Sequence, residues 1–156
     1  MYMSPYSVNP PPRVASDPVE PYPTRMRFPA ELSLVALGGA AGAVARYWVS
    51  GLVYRLTGPG FPWGTLVVNL LGCFLIGGVI LVLETTIQSG AVRAAVAIGF
   101  LGAFTTFSTF SYETLALLQD GEWLRAGAYV GGSVTVGLLA VAAGFGTASL
   151  VLFGRG

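Results

Sequence analysis

The chain has 156 residues, of which 54% are hydrophobic and 10% charged, against roughly a quarter charged in an ordinary soluble domain. That balance excludes an ordinary soluble protein, and a net charge of +1 without a basic patch argues against a nucleic-acid partner. One cysteine and no histidine exclude an internal disulfide framework and the usual zinc, haem and iron–sulfur ligand sets.

Of the ten prolines, all but Pro59 and Pro62 lie at or before Pro29, while all 22 glycines lie at or after Gly38. Residues 1–30, with Pro10-Pro11-Pro12 and Pro18-Val19-Glu20-Pro21-Tyr22-Pro23, read as a disordered or polyproline-like tail, because proline at this density denies a helix its donors. The tail lacks the basic start and apolar centre of a secretory signal. Residues 31–156 form the body.

In the body four apolar stretches follow, approximately Leu32–Leu56, Trp63–Ile87, Ala91–Leu118 and Leu124–Phe153. Each is long enough, at about 1.5 Å per residue, to cross a hydrocarbon core of about 30 Å. Backbone in lipid must satisfy its own hydrogen bonds, so four helices are expected rather than strands. The breaks carry turn chemistry: Thr57-Gly58-Pro59-Gly60-Phe61-Pro62, Gln88-Ser89-Gly90 and Gln119-Asp120-Gly121-Glu122. The expected architecture is therefore all-α, an integral membrane protein with four transmembrane helices, antiparallel in sequence order. Both termini then share a side, with Arg13, Arg25, Arg27, Arg93 and Arg155 opposing Arg55 and Arg125, which favours cytoplasmic ends. Without the tail the arginine count is tied, so insertion in both directions is compatible with it.

Polar side chains inside a span are costly and each is a candidate functional residue. Arg46 in the first span reads either as a fixed positive charge drawing an anion into a vestibule or as an arginine snorkelling from a tilted helix. Gly38/Gly42 beside it, and Gly127/Gly131 in the fourth span, are spaced for close helix approach. Asn69 in the second span offers donors that an anion shedding water needs, or a hydrogen bond to a neighbouring helix.

The third span reads Gly102-Ala103-Phe104-Thr105-Thr106-Phe107-Ser108-Thr109-Phe110-Ser111, hydroxyls and phenylalanines at mid-membrane depth. Gly102 weakens the helical ladder ahead of poor helix formers, so an interrupted helix near Gly102–Thr105 is expected. Such breaks are tolerated where they line a cavity. Phe104, Phe107 and Phe110 recur every third residue, either as a packing stripe or as rings whose positive edges face an anion.

That segment closely resembles the third-helix signature of the CrcB/Fluc fluoride channels, and 38–47 and 64–72 are similar to the family's first- and second-helix motifs, over about residues 32–153. The resemblance implies a passive, electrodiffusive fluoride exporter in the inner membrane, built as a homodimer of oppositely inserted subunits. By motif position it implies Phe107 and Phe110 as pore phenylalanines, with Asn69, Ser108 and Thr109 lining the polar path and Arg46 lending vestibule charge. It implies a structural sodium ion at the dimer centre held by backbone carbonyls of Gly102 and Thr105. It also implies a fourth-helix hydroxyl track, which Tyr129 and Ser133 fit and Gly137 departs from. The alternative is a small multidrug-resistance-type proton-coupled exporter, which needs a membrane-embedded carboxylate; Glu84 and Glu113 are placed toward span ends. No acid/base pair or activated nucleophile suggests an enzyme.

Overall fold

The computed structural model describes residues 28–87 and 89–154. The expectations for the proline-rich tail, its arginines and Arg155 fall outside them. Four helical segments are long and apolar enough to cross a membrane: Ala30–Thr57, Trp63–Thr86, Gly90–Gln119 and Trp123–Phe153. These match the four predicted spans to within a few residues at each end. Three of them are continuous helices, the first two being α1 (Phe28–Thr57) and α2 (Trp63–Thr86). The third span is composite, with α3 (Gly90–Ala94), a π-wound segment (Ala95–Leu101), α4 (Gly102–Phe104) and α5 (Phe107–Gln119); the fourth is α6 (Trp123–Phe153).

The turns after α1 and α5 follow from glycine. Gly58 and Gly121 both hold φ of +77°, the left-handed conformation that ends a helix at little cost only for glycine. After α5 the Glu122 amide reaches back to the Leu117 carbonyl at 2.8 Å and Gly121 to Leu118 at 3.1 Å, the paired closure of a Schellman motif.

Packing pairs α1 with the π-wound segment and α2 with α6. At Gly38 and Gly42 a side chain would strike the backbone of Ala95 and Phe100, and at Gly77 and Gly144 that of Val141 and Phe74. Small residues thus let backbones touch where no hydrophobic effect drives helices together. The spacing predicted for α1 is used in this way. Gly127 and Gly131 are not: no atom lies within 4 Å of a Cβ built on either, and α6 meets α2 further along, through Gly144.

The interrupted helix is present, with the extended residues at the C-terminal end of the predicted interval. Thr105 (φ −81°, ψ 161°) and Thr106 (φ −149°, ψ 115°) are extended, whereas Gly102 keeps helical angles of −64° and −35°. Glycine is therefore not the breaking residue. Two β-branched threonines leave the helix where partners await them: Thr105 still donates to the Leu101 carbonyl from its amide and its Oγ1, both at 3.0 Å. Thr106 then caps α5, its Oγ1 accepting from the Thr109 amide at 3.2 Å.

Candidate functional site

Asn69 reaches from α2 to the break. Its Oδ1 accepts the Thr106 amide at 2.8 Å and its Nδ2 donates to the Thr106 carbonyl at 3.1 Å. This helix-to-helix pairing gives the freed backbone its partners inside a span, where water cannot. One Nδ2 hydrogen of Asn69 stays uncommitted by these two bonds.

Arg46 approaches the same break from α1, its Nη1 donating to the Thr105 carbonyl at 3.3 Å. Among the described residues the ion pair found joins Arg125 and Glu122 at 3.5 Å, so Arg46 carries a charge that no salt bridge neutralises. It lines a cavity of about 300 Å³ together with Ser50, Tyr54, Thr65, Thr109 and Glu113. The contact to Thr105 holds the Arg46 guanidinium at the break.

Thr106 is buried and its hydroxyl is a hub. Its Oγ1 donates to Thr109 Oγ1 at 2.9 Å and lies 3.4 Å from Ser108 Oγ. The two predicted hydroxyls, Ser108 and Thr109, are thus gathered at the first turn of α5, on the exposed side of the chain.

Phe107 and Phe110 stand with ring centroids 5.7 Å apart, and Phe110 lies 5.0 Å from Tyr129. Phe107 is 79% exposed although it starts the mid-span half-helix. Phe104 does not belong to this stripe. It is buried and stacks on Phe100 at 6.0 Å, because the extended residues 105 and 106 reset the helical phase between it and Phe107.

The predicted α6 residues separate into two environments. Tyr129 is 1% exposed and its hydroxyl donates to Glu113 Oε2 at 2.8 Å. Ser133 Oγ is buried with no hydrogen-bond partner among the described residues. Gly137 is buried as well, with Cys73 Sγ 3.5 Å from where its Cβ would stand.

Sequence reasoning missed Thr65 and Tyr54 and took Glu113 only as an acid toward a span end. Glu113 is no mere span-end residue: Tyr54 and Thr65 donate to its Oε1, both at 2.9 Å, while Tyr129 takes Oε2. One signal could have found it. Glu113 follows Thr106 by seven positions, two turns of helix, so it lies on the face that Thr106 turns inward.

Gly102 and Thr105 line a second cavity of about 340 Å³ with Asn69, Cys73, Thr106 and Phe107. With the Thr106 amide turned to Asn69, the Gly102 carbonyl loses the donor a continued helix would give it. The Thr105 carbonyl spends one lone pair on Arg46 and keeps the other. Both oxygens therefore fit a hard cation such as sodium, one of them beside a competing guanidinium.

A broken membrane helix whose backbone is held by a neighbour's amide, with phenylalanines and clustered hydroxyls along it, defines a polar seam within a four-helix membrane protein. Residues 33–145 match the family described as CrcB-like protein, Camphor Resistance (CrcB). Curated relatives include the Fluoride-specific ion channel FluC of Geobacter sulfurreducens, 53% identical over 111 residues, covering 70% of this chain and 90% of the relative. Proteins of the same name from Nitrosococcus oceani and Solidesulfovibrio magneticus are 47% and 48% identical over 122 residues, covering 78% of this chain and 98% of each. The chain belongs to the CrcB family.

Proposed function

We propose that this protein is a fluoride-selective channel of the inner membrane that lowers cytoplasmic fluoride by passive export. The observation that carries the reading is the family membership joined to close relatives named as fluoride-specific channels. A channel, not an enzyme, follows from the same family. The multidrug-exporter alternative would use Glu113 as its carboxylate, but three hydroxyls already donate to that group and the relatives are channels.

Fluoride is small and strongly hydrated, so a pore must give it donors as it sheds water. Arg46 raises the local potential for anions at the vestibule. Ser133 Oγ, free of partners among the described residues, and the remaining Nδ2 hydrogen of Asn69 donate to the ion, with Ser108, Thr109 and Tyr129 continuing the polar path. Phe107 and Phe110 turn positive ring edges to the anion while excluding water.

The functional unit in this reading is a homodimer of oppositely oriented copies. Its support is the exposure of Phe107 in a single subunit, a ring that a pore wall would enclose. A sodium ion at the dimer centre would be held by the Gly102 and Thr105 carbonyls of each copy, where it offsets their dipoles and fastens the two breaks together. Single-molecule photobleaching of fluorophore-labelled protein in liposomes, with site-specific labels read from both faces, tests dimer and orientation; a monomer, or a single orientation, contradicts them.

A further inference from the structure

Helices α2 and α6 run parallel in a fixed register. Thr65 and Tyr129 donate to the two oxygens of one carboxylate, Cys73 Sγ stands 3.5 Å from the Cβ position of Gly137, and Gly77 abuts the Val141 backbone. Cys73 and Gly137 lie eight residues beyond the first pair and Gly77 and Val141 four further, so levels four residues apart stack about 6 Å apart. Asn69 and Ser133 share the level between the first and third.

Both helices thus offer a polar side chain at the first two levels. At the third, α6 has only a glycine. The space its side chain would take is met by the one cysteine of the chain, and at the next level both helices present apolar residues, Gly77 and Val141.

We propose that the Cys73 thiol is the third donor of this seam, lining the fluoride path at the level where α6 lacks a side chain. The inference rests on the fluoride-channel reading above. Two observations besides the register support it. Cys73 lines the cavity that Asn69 and Phe107 also line, and one level away Ser133 Oγ is a buried donor without a partner among the described residues, which points to a ligand in the seam. A thiol is a weak, polarizable donor, able to assist an anion without trapping it.

The test is fluoride efflux from liposomes containing the full chain, as wild type, Cys73→Ala, Cys73→Ser and the double variant Cys73→Ala/Gly137→Ser. Dimer content is measured in parallel. Cys73→Ala is expected to slow efflux about fivefold, the loss of one weak hydrogen bond. Cys73→Ser and the double variant are expected to return it to the wild-type rate, because alanine leaves room for a hydroxyl borne by α6. Should Cys73→Ala not assemble, Cys73→Val removes the donor while filling the space. A conducting wild type with an unaffected, assembled Ala or Val variant overturns the role of the thiol and leaves the channel reading intact. So does a slow Ala variant that neither hydroxyl restores. A wild type without fluoride efflux overturns the channel reading itself.

Discussion

Asn69 clasps both polar groups of Thr106, accepting from its amide at 2.8 Å and donating to its carbonyl at 3.1 Å. A single side chain thereby stands in for the helical ladder at the break. Replacing Asn69 by Leu leaves a donor and an acceptor unpaired inside a span, at a cost of about 2–4 kcal/mol. Asn69→Asp keeps the acceptor but sets carboxylate against carbonyl, and is expected to be intermediate. Thermal unfolding in detergent should rank the variants wild type, Asp, Leu; equal midpoints would contradict the clasp.

Gly72 makes room for the Thr105 side chain, whose Cγ2 would collide with any Cβ placed there. Gly72→Ala is expected to destabilise the protein by about 1–3 kcal/mol as the break shifts. Thr105→Ser deletes that methyl while keeping the hydroxyl bonded to Leu101. The double variant should recover most of the lost stability in a double-mutant cycle, and strict additivity would show that the two sites do not touch.

Phe107 and Phe110 carry the ring role in the account of permeation. Phe107→Ile or Phe110→Ile should cut fluoride efflux at least about tenfold, equivalent to about 1.4 kcal/mol of barrier, while dimers still form. Unchanged efflux in both assembled variants would remove the rings from the pore.

Sodium at the dimer centre predicts a cation-dependent assembly. Exchange of sodium for N-methyl-glucamine should shift purified protein toward monomer and lower its thermal midpoint, with sodium restoring both. Potassium or glucamine buffers that leave dimer and midpoint unchanged would exclude a structural sodium site.

The four spans were legible because an uninterrupted apolar run has few readings other than a membrane helix, and glycine turns punctuate them. The break was legible in kind and in approximate place, within the interval Gly102–Thr105 and one residue beyond it. Local propensity made Gly102 the weak point of the interval, whereas the residues that leave the helix are Thr105, at its end, and Thr106, held by an amide 37 positions away in sequence. Tertiary partners decide such a position. For the same reason Asn69 could be singled out as polar in a span without revealing that it serves the backbone of the third. The Glu113 cluster joins Tyr54, Thr65 and Tyr129 from three other spans, and no local pattern contains that convergence. The phase reset at the break also hid the separation of Phe104 from Phe107, since a period of three assumes one continuous helix.

The most direct test of the central claim is ion efflux from liposomes containing the purified protein, read with a fluoride electrode and repeated with chloride under the same imposed voltage. The account predicts rapid, voltage-driven fluoride release with little movement of chloride. Absence of fluoride release from assembled dimers, or equal release of chloride, would contradict it.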